Sequence, residues 1–250
     1  MNSDLLDRQR KSFDSLVASG VYDDSFDHPA KAKAFVGAVV RRASPRLARR
    51  SVLNVLDCGC GTGAWLTFLH AKLTEVGLTQ LRLYGFDLSE RMVEVARRKL
   101  HGLAAPEDIR LGNVLEPQSY AFDGLQSGFD LIFTYDVVQQ LPRSRQIEFC
   151  DAIADALAPG GVALILDNES ESPFGRRMAV RKFLTRYCGL RLVPDYYCNA
   201  SYPRLKRLRS KIERERHLHA DIIVRDDGVK RAMVVAREVF SQGKAGPLTS

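Results

Sequence analysis

At 250 residues, with 45% apolar and 27% charged side chains, the chain has the size and composition of one α/β domain whose core needs no staples. No apolar stretch approaches the ~20 residues that span a bilayer, and the polar, mixed-charge start (Met1 to Lys11) is unlike a signal peptide, so the expectation is a cytoplasmic protein with no membrane partner. Five scattered cysteines argue against a disulfide framework, and Cys58 and Cys60 stand too close for a usual zinc pair, so no metal site is expected. The net charge of +7 is unevenly spread: residues 172–216 hold thirteen Lys and Arg against three acids. That excess can attract an anionic substrate, nucleic acid or a membrane surface; a solvated helical face is the plainer reading.

Phe13, Leu16 and Val17 fall at helical spacing before Ser19-Gly20, and residues 21–29 are rich in turn formers. Residues 30–42 predict an amphipathic helix with Phe35, Val36, Val39 and Val40 on its apolar side. The chain is then organised around Val52 to Leu66. An apolar run ends on Asp57, three glycines follow at alternate positions (Gly59, Gly61, Gly63), and a helical pattern carries Trp65, Leu66, Leu69, Leu73 and Val76. Such a run reads as a buried parallel strand, and glycine lets a ligand approach the backbone without a Cβ in the way. A helix start favours an anionic group, and Gly59, Gly61 and Ala64 also satisfy the G-x-G-x-x-A dinucleotide fingerprint. A tight turn with no ligand is the bland alternative. Asp57 adds information, because a carboxylate there would repel a pyrophosphate and suit an ammonium or sulfonium charge.

Residues 81–87 predict a second strand ending on Asp87, 24 positions beyond Gly63, near the spacing at which a βαβ unit presents an acid to ribose hydroxyls. Ser89 caps a helix over 90–100, with Met92, Val93, Ala96 and Leu100 inward. Strands follow at 108–114, 129–133 and 161–167, with a helix over 145–157. Asp227-Gly228, between β-rich runs at 219–224 and 229–239, signals a hairpin, and residues 241–250 read as a polar tail.

Leu56-Asp57-x-Gly59-x-Gly61-Thr62-Gly63 resembles the first motif of the S-adenosylmethionine-dependent methyltransferases with a Rossmann-like fold (class I), and Gly85-x-Asp87-x-Ser89-x-x-Met92 is similar to the second. Leu157-x-Pro159-Gly160-Gly161 before an apolar strand, and the antiparallel final pair, match as well. The resemblance implies a doubly wound, mostly parallel seven-stranded α/β sheet with an antiparallel C-terminal strand. It also implies S-adenosyl-L-methionine as cofactor, S-adenosyl-L-homocysteine as product, and a small-molecule type of enzyme. It divides the chain into an N-terminal helical lid (1–50), a cofactor-binding core (51–167), a substrate-side insertion (168–216) and a C-terminal hairpin completing the sheet (217–240). The cofactor residues it implies are Tyr22, Asp57, Gly59, Cys60, Gly61, Gly63, Asp87, Leu88, Met92, Asn113, Val114 and Thr134. Asn113 stands where family members usually carry an acid, and its carbonyl can still accept from the adenine amino group.

Gln140 stands where related small-molecule enzymes often have a histidine, so Tyr135 and Asp136, at the carboxyl end of a central strand, are the reactant-facing candidates, with His28 from the lid. Tyr196, Tyr197 and Arg177 are the substrate-side candidates. The first expectation is methyl transfer to O or N of a small acceptor, with an anionic one suited to the basic segment. An RNA methyltransferase using 172–216, disfavoured for want of a recognisable RNA module, a non-catalytic cofactor-binding regulator and a dehydrogenase are the competing readings. Nothing in the sequence fixes the oligomeric state.

Overall fold

The computed structural model describes residues 29–193 and 199–237, together with 10, 11, 13–15 and 17, which are helical. Tyr22, His28, Tyr196, Tyr197 and the 241–250 tail lie outside the described residues. Seven strands form one sheet: β1 (Leu53–Cys58), β2 (Leu81–Asp87), β3 (Ile109–Leu111), β4 (Phe129–Tyr135), β5 (Leu157–Asn168), β6 (His219–Val224) and β7 (Lys230–Ala236). Their order is β3-β2-β1-β4-β5-β7-β6. The first five are mutually parallel, while β7 runs antiparallel to both β5 and β6. This is the predicted doubly wound sheet with its antiparallel end.

The helices are α1 (Pro29–Leu47), α2 (Ala64–Glu75), α3 (Glu90–Lys99), α4 (Gln146–Ala156), α5 (Pro173–Tyr187) and α6 (Leu205–Arg216). Alternation along β1 shows how they clothe both faces. Leu53 and Val55 pack with residues of α1, α2 and α3 in one core cluster. Leu56 and Cys58 pack with residues of α4 and α6 in the other. A strand covered on both sides has to read as an apolar run, as this one does.

Three boundaries differ from the sequence reading. α1 runs on to Leu47 through Pro45, because Ala43 and Leu47 continue its buried stripe. The Arg41 carbonyl, which a proline four residues on cannot satisfy, accepts from Ser44 Oγ at 2.9 Å instead. β5 begins at Leu157 rather than 161: Phe129 pairs with Leu157, then a register shift precedes the Leu131–Val162 pair. β3 stops at Leu111, since Asn113 turns its Oδ1 back to accept from the Leu115 N–H at 3.1 Å. The predicted hairpin forms, with Arg225 and Lys230 joined N–H to carbonyl at 2.9 Å and Gly228 at φ 68°. No helix among the described residues is long and apolar enough to cross a membrane.

Candidate functional site

Strand order reverses between β1 and β4, so the crevice at the carboxyl ends of those strands is where such a sheet receives ligands. The glycine loop leaves β1 there. Gly59 lies at φ 76°, and a Cβ on it would sit 2.6 Å from Val137 Cγ2. Gly63, at φ 78°, caps the start of α2 without a side chain, leaving that helix end to a ligand. Cys58 and Cys60 are buried thiols, pushed up by burial first and by neighbouring carboxylates second, and so behave as small packed side chains.

Two acids frame this loop. Asp87 Oδ2 accepts from the Gly61 N–H at 2.9 Å and Oδ1 from the Ser89 N–H at 2.9 Å, which fixes its carboxylate over the turn. Ser89 caps α3 as predicted, accepting from the Met92 N–H at 3.2 Å, and its hydroxyl donates to Asp14. Asp57 is only 1% exposed, and its Oδ2 accepts no hydrogen bond from any described residue. Burial, and then the Asp87 charge, holds the Asp57 carboxyl well above the usual carboxylate range. Burial also raises Asp87, with backbone N–H groups pulling it down and Asp14 adding to the rise. Buried acids facing one another without a cation form a site that lacks a positive partner.

Beyond Asp87 opens a cleft of about 480 Å³ whose lining includes Arg10, Leu88, Leu111, Gly112 and Asn113. Leu111 is an exposed large apolar residue at its edge. Asn113 Nδ2 donates to Glu116 and its Oδ1 accepts from Leu115, which leaves the carbonyl one further lone pair for a ligand donor. Met92 is buried under the Ser89 cap, and Val114 packs at the edge of the core.

The exits of β4 and β5 form the other end. Thr134 is buried, and its Oγ1 finds no hydrogen-bond partner among the described residues. Tyr135 stacks on Trp65 of α2, with ring centroids 4.6 Å apart. Asp136 takes up φ 62°, a left-handed conformation rare for a residue with a side chain, and pairs with Lys230 Nζ. Lys230, only 2% exposed, also lies 4.5 Å from the centre of the Tyr135 ring. Beneath it Asp167 accepts from the Gln139 and Asn168 N–H groups at 3.0 and 2.7 Å. Burial, then the Asp136 charge, pushes Asp167 well up, and Lys230 draws it down. Gln139 and Gln146 complete the scaffold, with Gln146 Nε2 donating to Val138, Leu141 and Ser201 carbonyls. The structure thus brings Tyr135 and Asp136 together. It leaves Arg177 exposed on α5.

Sequence reasoning missed Asp14, Trp65, Asp167 and Lys230. Only Lys230 left a trace: a lysine opening the otherwise apolar run Ala232 to Ala236, where a buried strand has no use for an unpaired charge.

The loop that a Cβ would block, the orphaned Asp57 oxygen and the anchored Asp87 fit a cationic sulfur nucleoside better than a dinucleotide. The comparisons agree. Demethylmenaquinone methyltransferase of Bacillus mycoides is 28% identical over 127 residues, 50% of this chain and 48% of that protein. Carboxy-S-adenosyl-L-methionine synthase of Campylobacter curvus is 26% identical over 155 residues, 62% of this chain and 60% of that protein. The chain therefore matches half to three fifths of those curated relatives' length. In fold it resembles magnesium protoporphyrin IX methyltransferase of Synechocystis PCC 6803, solved with bound SAH, at TM-score 0.61 and 17% identity, covering 94% of this chain and 100% of that one. The N-methyltransferase NodS of Bradyrhizobium japonicum WM9, also with SAH, superposes at TM-score 0.58 and 16% identity over 92% and 98% of the two chains. Residues 55–161 match the methyltransferase domain family. Over that stretch the chain is similar to a methyltransferase domain, and its fold is the one these SAH-bound methyltransferases share.

Proposed function

We propose that the protein transfers a methyl group from S-adenosylmethionine to the O or N of a small acceptor bound over the carboxyl ends of β4 and β5. The observation that carries this reading is the uncompensated Asp57 oxygen beside Asp87 at the glycine loop. Magnesium protoporphyrin IX methyltransferase, a neighbour in fold whose name states a small-molecule acceptor, lends support.

When bound, the cofactor supplies an electrophilic methyl group on a positively charged sulfur. Gly59, Gly61 and Gly63 hold the left-handed turns that bring the loop backbone to its methionine part, and Asp57 offers the anion that such a cation requires. Asp87 offers its remaining lone pairs to the ribose hydroxyls, while Leu88, Leu111 and Asn113 enclose the base. Asp14, tied to Ser89, belongs to the part that keeps water from the cofactor end, with Tyr22 and His28 as candidates to face the site. At the acceptor end, the ion pair with Lys230 holds the Asp136 carboxylate in place. Asp136 therefore accepts a hydrogen bond from the acceptor's O–H or N–H and aims the lone pair; Tyr135, fixed between Trp65 and Lys230, walls the pocket. Tyr196 and Tyr197 are the candidates for the acceptor's other contacts. The cations of α6 are largely engaged in ion pairs, Arg216 with Asp151 and Asp155, Arg209 with Glu213 and Lys211 with Glu215, which favours a small acceptor over RNA.

The test is mass spectrometry of a host extract incubated with the protein and methyl-labelled S-adenosylmethionine. Label should appear in a small metabolite, and Asp136→Ala should abolish it. Label confined to RNA, or no label in any product, overturns the reading.

A further inference from the structure

α5 carries two apolar stripes where a surface helix normally has one. At about 100° per residue, Phe174, Met178 and Lys182 share one side. That side is packed: Met178 joins a small core with Val193, Ala200 and Tyr202. Lys182 Nζ donates to the Ala200 carbonyl at 2.7 Å and lies 4.0 Å from the centre of the Tyr202 ring. Val180, Phe183 and Tyr187 form the second stripe, turned roughly half a circle from the first. They are 59%, 58% and 69% exposed, with the Phe183 and Tyr187 rings in mutual contact at 5.1 Å. The left-handed turn at Gly189 then presents Leu190 and Leu192, also exposed.

Charge frames this stripe. Residues 172–193 contain six Lys and Arg and no acid. By helical position Arg177 flanks the outer stripe on one side, with Arg181 beyond it toward the packed side, and Arg186 flanks it on the other, while Arg176 stands at its N-terminal end. We propose that α5 and the turn after it form a docking face for the surface of an anionic phospholipid bilayer. Val180, Phe183 and Tyr187 enter the acyl boundary, and the flanking guanidinium groups meet lipid phosphates. A helix about 22 Å long, apolar along its outer centre and cationic on both flanks, has the pattern of a surface-lying amphipathic segment. A second copy of the chain suits the face poorly. Two-fold pairing would set like charges on like, with no acid in 172–193 to offset them. This docking goes beyond the proposed reaction and does not depend on it.

Co-sedimentation of the full chain with phosphatidylcholine vesicles, with and without phosphatidylglycerol, tests it. The protein should pellet with the phosphatidylglycerol vesicles only, and less so as salt rises. Phe183→Ser should lower partitioning about tenfold, and Arg177→Gln and Arg181→Gln about fivefold each. All three are exposed positions, and an unchanged melting temperature by circular dichroism verifies that each variant is folded. Pelleting that ignores phosphatidylglycerol, or that Phe183→Ser leaves unchanged, overturns the proposal. So does light scattering that shows a dimer lost in Phe183→Ser, or RNA whose binding those arginines control.

Discussion

The two ends of the crevice both hold acids and treat them in opposite ways. At the acceptor end, Asp136 and Asp167 have their own cation, since Lys230 reaches across from β7. At the cofactor end, Asp87 has backbone N–H groups, Asp57 has only the neighbouring Asp87 charge, and no cation pairs with either among the described residues. Uncompensated charge in a buried place weakens a free protein, so it persists where a ligand supplies the missing partner. On the proposed reading, the closed cluster positions side chains and the open one binds the cofactor.

Breaking the closed cluster should have the largest effect. Lys230→Met strands two acids and should cost about 3–5 kcal/mol, a fall of roughly 10 °C in Tm by calorimetry. The deficit should shrink in acid. Without Lys230 the Asp167 carboxyl rises further, so the folded state keeps a proton that the unfolded chain releases. Stability is then present below the unfolded value and lost as pH rises through the raised one. Adding Asp136→Asn should recover part of the loss; a double variant no better than the single would show that the pair is not coupled.

Next in size, Asp87→Ala removes an anionic acceptor and should weaken S-adenosylhomocysteine about a hundredfold in a fluorescence titration. Asp57→Asn sharpens the contrast, since its two effects point in opposite directions. Cofactor affinity should fall about tenfold, while the Tm of the free protein rises by about 2–4 °C as a costly charge disappears. The smallest effect is a drift with pH. A bound cation stabilises the ionised carboxylates and returns their raised values toward normal, so affinity should decline as pH falls through the raised range.

The core of this molecule was legible because its signals are local. An apolar run, three glycines and an acid lie within a dozen residues, and Asp87 follows at one βαβ repeat, so strand, turn and charge could be placed without tertiary knowledge. The Ser89 cap and the hairpin at Gly228 were legible for the same reason. The acceptor end was not, because its partners are far apart in sequence: Lys230 meets Asp136 across 94 positions, through an antiparallel strand whose register only the folded sheet defines. Asp14 reaches Ser89 across 75 positions in the same way. In the 168–216 segment the basic excess was visible, but its division into the ion-paired face of α6 and the apolar-centred face of α5 depends on which side of each helix is packed.

The most direct test of the open acid pair is isothermal titration calorimetry with S-adenosylmethionine in two buffers of different ionisation enthalpy at mildly acidic pH. We predict saturable binding with proton release, absent with a nicotinamide dinucleotide and lost in Asp57→Asn with Asp87→Ala. No heat from the sulfonium nucleoside, or binding that both substitutions leave intact, would contradict the account.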